Sequence, residues 1–290
     1  MKNKKFTIIG GDLRSVKLAE LIASEGNKVN IYGFKNANFE IGIEESEELD
    51  LAIGEADVIV GPTPCSTDNE TINTPFHPQR IFIKDVFKKM KKSQLFIAGR
   101  ITEKIAQLAD VYNVYSIDLL EREEMAVLNA IPTAEGAIQI AMEEMPITLH
   151  GSNALILGFG RIGKTLAKML NGIGSNVYVE ARKYSDLAWI ESYGYKPVFI
   201  SELDDYIQRA NVIFNTIPSI VLDESLLKKV NKDCILIDLA SKPGGIDFEK
   251  AKEMGLKTIW ALSLPGKVAP VTAARFIRDT ISNIIDELGV

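Results

Sequence analysis

Gly158-Phe159-Gly160-Arg161-Ile162-Gly163 has the spacing GxGxxG and lies between two contrasting patterns. The apolar run 154–157 comes directly before it and is typical of a buried β-strand. Residues 164–170 follow it with the pattern of a helix. Strand, glycine turn and helix in this order form the context in which the motif binds a dinucleotide. The sequence therefore predicts a nucleotide-binding βα unit here, with an ordinary tight βα turn as the alternative.

Each glycine of the motif has a separate task. Gly158 permits the tight turn, Gly160 lets the backbone approach a pyrophosphate, and Gly163 lets the helix pack closely on the strand. Arg161 and Ile162 stand where the N–H groups of a helix start point towards the phosphates. We therefore expect these five residues to bind or frame the cofactor.

The end of the next predicted strand, 176–179, bears on which dinucleotide binds. An NAD site places an acid near this point for the ribose 2′-OH, whereas an NADP site offers Arg to the 2′-phosphate. Ala181 occupies the usual acidic position, and Arg182 and Lys183 follow it. Two adjacent cations favour NADP. Glu180 favours NAD if its side chain reaches the ribose, and strand alternation puts it on the same side as Arg182. A solvated loop is the further alternative for the two cations.

Composition narrows the class of protein. The 290 residues suit two domains, with 46% hydrophobic and 25% charged residues, as in ordinary globular proteins. A net charge of −6 gives no support for nucleic-acid binding. No signal peptide and no apolar stretch near the roughly 20 residues of a membrane span stand out. The two cysteines and two histidines form no ligand cluster. We expect a cytoplasmic protein without a metal site.

Short apolar runs alternate with helical patterns along the whole chain, which favours βαβ units and parallel sheets. We therefore predict an α/β fold of two Rossmann-like, doubly wound parallel-sheet domains, linked by long helices, with the interdomain cleft as the default site. The predicted parts are a substrate domain at 1–125, a linking helix at 126–148, a nucleotide-binding domain at 149–270, and a final helix at 271–290 that braces the first domain.

In a doubly wound sheet, ligands bind just beyond the carboxyl ends of the strands. We expect the loops there to contact the ribose and nicotinamide, although Pro and Gly also punctuate ordinary turns. Lys242 lies in one of these loops and could meet the nicotinamide with its side chain. The other candidate cofactor contacts in these loops are Thr216, Pro218, Ala240, Ser241 and Pro265.

The corresponding loops of the first domain favour an anionic substrate. Gly11 lies in a Gly-Gly-Asp turn with free N–H groups at a helix start, and Arg14 lies within the first turn. Together they predict a carboxylate pocket, with a structural turn and a surface Arg as the alternative. Thr63 and Arg100 follow later strands, and Arg100 is a second carboxylate clamp.

The linking segment offers one more candidate. Thr133 is predicted to be the N-cap of the helix that runs over 133–144 and to contact substrate. Glu135 then places a carboxylate near the cleft as a general acid or base. A charge that favours the helix N-terminus is the alternative for Glu135.

Several motifs together are far more specific than the glycine turn. Shorter ones lie at 9–12 with Arg14, at 131–136 and at 150–152. The longest are Asn215-Thr216-Ile217-Pro218-Ser219, Asp238-Leu239-Ala240-Ser241-Lys242-Pro243-Gly244-Gly245 and Leu264-Pro265-Gly266-Lys267-Val268-Ala269-Pro270. On these residues the chain resembles, over essentially its full length, the dipicolinate synthase A-subunit family of spore-forming bacteria.

The resemblance implies a reaction and a setting. Dihydrodipicolinate, or its 4-hydroxytetrahydro precursor from lysine biosynthesis, would become pyridine-2,6-dicarboxylate, with hydride passing to NADP. Arg14, Arg100 and Lys242 would offset the negative charge of this dianion, and Glu135 and Lys242 would be catalytic. The family also implies a flavoprotein-like partner, the dipicolinate synthase B-subunit, and the mother-cell cytosol during spore formation. Assembly with further copies of the same chain is also compatible with the resemblance.

Two alternatives compete with this function. A 2-hydroxy-acid dehydrogenase using NAD or NADP would have a similar architecture, but that chemistry normally uses a histidine late in the chain. No histidine follows His150. The other alternative is a nonenzymatic, NADP-binding scaffold protein that needs its partner for chemistry.

Overall fold

The computed structural model describes residues 4–289, with the side chain of Glu44 left aside. Residues 1–3 and Val290, at the ends of the predicted first domain and final helix, lie outside the described residues. The strands are β1 (Lys5–Ile9), β2 (Lys28–Tyr32), β3 (Glu44–Glu45), β4 (Val58–Val60), β5 (Leu95–Ala98), β6 (Tyr115–Asp118), β7 (Asn153–Leu157), β8 (Asn176–Ala181), β9 (Lys196–Phe199), β10 (Val212–Asn215), β11 (Ile235–Asp238) and β12 (Lys257–Trp260).

The helices alternate with these strands. They are α1 (Leu13–Ser24), α2 (Leu49–Gly54), α3 (Ile83–Lys89), α4 (Glu103–Val111), α5 (Glu123–Glu144), α6 (Arg161–Ile173), α7 (Tyr184–Ser192), α8 (Leu203–Ile207), α9 (Glu224–Leu227), α10 (Phe248–Glu253), α11 (Leu264–Val268) and α12 (Pro270–Leu288), with 3-10 turns at Leu119–Glu121 and Ile200–Glu202.

Two parallel sheets carry the fold. The first has the order β3-β2-β1-β4-β5-β6, and the second has the order β12-β11-β10-β7-β8-β9. In both, the first strand in sequence lies centrally, and the chain winds outwards on either side of it. This order confirms the predicted fold class of two Rossmann-like, doubly wound parallel-sheet domains.

The central strands are buried on both faces because helices cover both sides of a parallel sheet. In β7, Ala154 and Ile156 join the core on one face, and Leu155 and Leu157 join the core on the other. The strand therefore appears in the sequence as a continuous apolar run rather than as an alternating one.

The chain divides into two compact units. One comprises Met1–Leu128 with Ala269–Val290, and the other comprises Asn129–Val268. Within the first unit, α12 packs against α1, and Ile277 and Ile281 share a core with Leu18. The apolar face of the last helix is thus covered by the first sheet and its helices.

Helix α5 begins ten residues earlier than predicted. Thr133 is not an N-cap: it lies inside the helix, and its Oγ1 donates to the carbonyl oxygen of Asn129 at 2.7 Å. The sequence was misleading because Pro132 is typical of a first helical turn. The helix continues through this proline because the segment around it is held by burial of Ala130 and Ala134.

Candidate functional site

The glycine turn has the geometry that the sequence predicted for a nucleotide cradle. Gly158 has φ +94°, and a Cβ there would come within 2.7 Å of Thr216 Oγ1. A Cβ on Gly163 would lie 2.1 Å from the carbonyl oxygen of Gly158. A Cβ on Gly160 would meet nothing within 4 Å. Two of the glycines are therefore required by packing, whereas the third borders open space.

Helix α6 starts directly after this turn. Gly160 is its N-cap and supplies no side-chain hydrogen bond, and the first turn contains no acidic residue. The positive end of the helix dipole thus faces the glycine turn without a protein carboxylate in its first turn to offset it. Arg161 and Ile162 lie in that first turn, as predicted for a pyrophosphate site.

The tip of β8 separates Ala181 from the two cations. Ala181 is buried, whereas Arg182 and Lys183 are exposed in the bend before α7. Within residues 4–289, neither cation forms an ion pair. The position that would carry the ribose-binding acid of an NAD site is therefore apolar and buried, and two cationic side chains lie beyond it.

Glu180 lies one residue earlier on β8 and is unusual. The residue is 1% exposed, and neither carboxyl oxygen has a hydrogen-bond partner among the described residues. Burial raises the pKa of this carboxyl group, while the Gly158 N–H and the charge of Arg182 act in the opposite direction. The sequence identified Glu180 as a competitor of Arg182, but periodicity could not reveal that its carboxyl group is enclosed.

A buried polar pair organises the next two strand ends. Asn215 and Asp238 end β10 and β11 in register, and both are 0% exposed. Asn215 Nδ2 donates to Asp238 Oδ1 at 2.8 Å and to the carbonyl oxygen of Ile217 at 2.9 Å. Asp238 also accepts from the N–H groups of Ala240 at 3.0 Å and Gly245 at 2.8 Å. One carboxylate thus holds both ends of the loop after β11 and is tied to the loop after β10.

These two positioning residues were not among the predicted site residues. The signal was present in the sequence, because a polar residue at the end of each of two adjacent apolar strands places two polar side chains at the same sheet edge. The pair explains why Gly245 must be glycine: a Cβ there would come within 2.3 Å of Asn215 Nδ2.

The predicted cofactor contacts of the loops divide by exposure. Thr216 Oγ1 donates to the carbonyl oxygen of Leu157 at 2.9 Å, which ties the loop after β10 to the glycine turn. The carbonyl oxygen of Ala240 accepts from Trp260 Nε1 at 3.0 Å. Pro218, Ser241 and Lys242 are exposed, and Pro265 is buried in α11.

Glu135 is exposed on α5. The following residue, Gly136, lets α5 approach α11, because a Cβ there would lie 3.1 Å from Leu264 Cβ. Glu135 is therefore positioned near the loop that follows β12, in the same unit as the glycine turn.

In the first unit, the predicted free N–H groups of the Gly-Gly turn are engaged. Gly10 donates to the carbonyl oxygen of Tyr32, and Gly11 donates to that of Asn73, both at 2.9 Å. Asn73 is remote in sequence, so the local pattern could not reveal this bond. Gly11 has φ +108°, which accounts for glycine at this position.

The cations of this unit differ in their availability. Arg14 is 6% exposed, pairs with Asp12 at 2.7 Å, and also donates to the carbonyl oxygen of Thr63. Arg100 is exposed, and its backbone N–H donates to Asp118 Oδ1 at 2.8 Å. Since a Cβ on Gly99 would contact the side chain of Thr63, these loops lie together at the carboxyl edge of the sheet.

Other features of the described residues bear on the site. A cavity of about 230 Å³ lies at the amino-terminal ends of β7 and β9, opposite the glycine turn, and is therefore not the cofactor cradle. Residues 4–289 contain no cluster of three or more His, Cys, Asp or Glu able to hold a metal ion. None of the helices in this range is long and apolar enough to cross a membrane.

Comparison with known proteins gives the two units separate matches. A model described as the N-terminal domain of the dipicolinate synthase A-subunit matches residues 5–120. A model described as the NAD binding domain of D-isomer specific 2-hydroxyacid dehydrogenase matches residues 129–243. The second unit therefore has the fold and glycine turn of a nicotinamide-cofactor domain, and the chain has a dehydrogenase-like role.

Individual relatives extend over the whole chain. The dipicolinate synthase A-subunit of Bacillus subtilis (strain 168) is 30% identical over 286 residues, 98% of this chain and 96% of the relative. The crystal structure of the same subunit from Bacillus halodurans has a TM-score of 0.91 and 30% identity, covering 98% of each chain. Shikimate dehydrogenase (NADP(+)) of Pyrococcus abyssi is 34% identical over 98 residues, 33% of this chain and 37% of the relative. Because the likeness in sequence and backbone spans both units, the chain belongs to the dipicolinate synthase A-subunit family.

Proposed function

We propose that the chain catalyses an NADP-dependent oxidation that forms pyridine-2,6-dicarboxylate. The observation that carries this proposal is the full-length likeness to the dipicolinate synthase A-subunit, combined with an intact glycine turn. Dihydrodipicolinate would lose a hydride and a proton to give the aromatic ring. If 4-hydroxytetrahydrodipicolinate is the substrate, water leaves first. Bound NADP would supply the hydride acceptor, and the protein would supply positioning and proton transfer.

Three observations support NADP rather than NAD. Ala181 provides no acid for the ribose 2′-OH, and Arg182 and Lys183 are exposed beside it. An Arg guanidinium can bind a phosphate with two parallel hydrogen bonds. One relative, the shikimate dehydrogenase of Pyrococcus abyssi, carries NADP(+) in its name.

The substrate is a dianion, so cations must oppose the net charge of −6 on the chain. Arg100 is the stronger candidate for a substrate carboxylate because its guanidinium is exposed, whereas that of Arg14 is already paired with Asp12. Arg14 then helps by holding Thr63 in place. Lys242 and Glu135 are both exposed in the second unit, and we assign them charge stabilisation and proton transfer, respectively.

The proposed setting follows from the family rather than from any one residue. The chain would act in the mother-cell cytosol during spore formation, with the flavoprotein-like B-subunit as its partner, and a homo-oligomer is compatible with this assignment.

The match of residues 129–243 to a 2-hydroxyacid dehydrogenase domain supports a second candidate, oxidation of a small 2-hydroxy acid. That candidate lacks the late histidine that would take the hydroxyl proton.

The function is tested by incubating the purified chain, with and without the flavoprotein-like partner, with NADP and freshly made 4-hydroxytetrahydrodipicolinate. The proposal predicts the ultraviolet absorbance of dipicolinate in at least one of the two mixtures. Failure to form dipicolinate in both mixtures would contradict it. A parallel incubation with 2-hydroxy acids would reveal the second candidate by reduction of the cofactor. Cofactor binding without turnover of either substrate class would indicate a scaffold protein.

A further inference from the structure

Glu180 is a buried carboxyl group without a partner at the edge of the cofactor cradle. Both of its oxygens are enclosed and accept no hydrogen bond from residues 4–289, and the residue is 1% exposed. Most buried polar side-chain atoms in proteins have at least one hydrogen-bond partner, so each exception requires an explanation. The glycine turn begins next to it, because the Gly158 N–H donates to the Glu180 carbonyl oxygen at 3.2 Å.

The neighbours of Glu180 disfavour a negative charge. Its partners across the sheet are Leu157 on β7 and Val198 on β9, both 0% exposed. The groups that favour ionisation are the Gly158 N–H and Arg182, and burial opposes them and raises the pKa of Glu180. Removing a carboxylate from water disfavours its charge, and here burial outweighs the Gly158 N–H and Arg182, so enclosure favours the neutral acid.

Arg182 connects this carboxyl group to cofactor choice. It is exposed two residues beyond Glu180, where its guanidinium is the proposed ligand of the 2′-phosphate of NADP. An ionised Glu180 would compete for that positive charge and repel the phosphate, whereas a neutral Glu180 would do neither. NAD has no 2′-phosphate and therefore would not experience this repulsion.

We propose that Glu180 sets the preference between NADP and NAD through its charge, the neutral acid permitting the 2′-phosphate at Arg182 and the carboxylate opposing it. This inference rests on the proposed use of NADP. It also requires the reciprocal effect, because linkage between two sites acts in both directions. Binding of NADP must favour the neutral form and so draw a proton onto Glu180.

The test compares the wild-type chain with Glu180→Gln, which has nearly the same shape and no charge. Dissociation constants for NADP and NAD are measured between about pH 4 and pH 8, which spans an ordinary and a raised carboxyl pKa. The 2′-phosphate itself has a pKa of about 6. That titration is common to both proteins, so the ratio of their dissociation constants at each pH removes it. Glu191→Gln, an exposed glutamate on α7, is the matched control.

At low pH, wild type and Glu180→Gln should bind NADP equally. As the pH rises through the Glu180 pKa, wild type should become weaker than the variant by about tenfold, equivalent to a shift of one pKa unit on binding. The same ratio for NAD should stay within about twofold, and Glu191→Gln should follow wild type for both cofactors.

Proton uptake gives an independent readout. Calorimetric titrations in buffers of different ionisation enthalpy should show a proton taken up when wild type binds NADP near the Glu180 pKa. Glu180→Gln should take up fewer protons than wild type, because its residue 180 cannot be protonated. Glu191→Gln should take up as many as wild type. If Glu180→Gln does not fold, Glu180→Leu provides a second uncharged side chain suited to apolar neighbours.

Parallel pH profiles for NADP in wild type and the uncharged variant would overturn the inference. So would a loss of NADP and NAD binding in equal proportion. These outcomes leave the proposed function intact if dipicolinate still forms with NADP. A chain that binds NAD but not NADP at every pH, in wild type and variant alike, would instead remove the NADP assignment on which the inference rests.

Discussion

The proposed preference for NADP depends most directly on Arg182. It is exposed and forms no ion pair within the described residues, so Arg182→Ala removes little from the folded chain itself. We expect the variant to bind NADP more weakly by about 1.5–3 kcal/mol, the size of a hydrogen bond to a charged group. NAD binding should barely change. Titration calorimetry with both cofactors measures the two effects.

Arg209→Ala is the matched control for this prediction. Arg209 is also exposed, but it lines the cavity at the opposite edge of the sheet. Its removal should leave the binding of both cofactors unchanged. An equal loss of NAD and NADP binding in Arg182→Ala would refute the 2′-phosphate role.

Two glycines of helix α6 should respond oppositely to a methyl group. The Cβ of Gly163→Ala would lie 2.1 Å from a backbone oxygen, whereas that of Gly172→Ala meets nothing within 4 Å. Gly163→Ala should therefore lower the free energy of unfolding by about 1–3 kcal/mol. Gly172→Ala should raise it by about 0.5–1 kcal/mol, because alanine is the better helix former. Urea unfolding measures both changes. If Gly163→Ala were as stable as Gly172→Ala, the close packing at the turn would be contradicted.

At the scale of elements, the loops after β10 and β11 behave as one assembly held by Asn215 and Asp238. Asp238→Asn keeps the shape but turns one acceptor oxygen into a donor that faces an N–H group. We expect the binding free energy of intact NADP to become less favourable by about 1.5–3 kcal/mol, or the activation free energy of turnover to rise by that amount. Binding of adenosine 2′,5′-bisphosphate, which lacks the nicotinamide end, should stay within about twofold.

The control for this assembly is Asp223→Asn. Asp223 lies at the far end of the loop after β10, where it caps α9 and accepts from the Leu226 N–H at 3.0 Å. It takes no part in the hydrogen bonds of Asn215 and Asp238, so its loss should affect stability without breaking that pair. If Asp238→Asn weakened the binding of adenosine 2′,5′-bisphosphate and of intact NADP equally, Asn215 and Asp238 would only stabilise the fold.

The elements show which features a sequence can predict. The strand before the glycine turn was predictable because its apolar run is continuous, and the turn because its glycine spacing is specific. The start of α5 was not, because Pro132 is ordinary at a helix start and only burial around it reveals that the helix continues. The enclosure of Glu180 depends on Leu157 and Val198, which come from other strands, so no local pattern contains it.

At the scale of the whole molecule, the alternation of strands and helices was enough to predict two doubly wound sheets. The predicted edge of each sheet was also informative, because ligands of such folds bind beyond the carboxyl ends of the strands. The sequence could not show whether each candidate group at these edges already has a hydrogen-bond or ion-pair partner. Arg14 is already paired with Asp12, the Gly11 N–H is bonded to Asn73, and Arg100 remains exposed. These differences arise from contacts between segments far apart in the chain.

The proposed function requires this chain to transfer hydride to NADP as dipicolinate forms. The most direct measurement follows both products at once, by the absorbance of NADPH and of dipicolinate, with the chain, its flavoprotein-like partner, NADP and freshly made 4-hydroxytetrahydrodipicolinate. We expect one NADPH for each dipicolinate, with both products rising together, and a slower reaction when NAD replaces NADP. Dipicolinate that accumulates without NADPH, or NADPH that accumulates without dipicolinate, would contradict it.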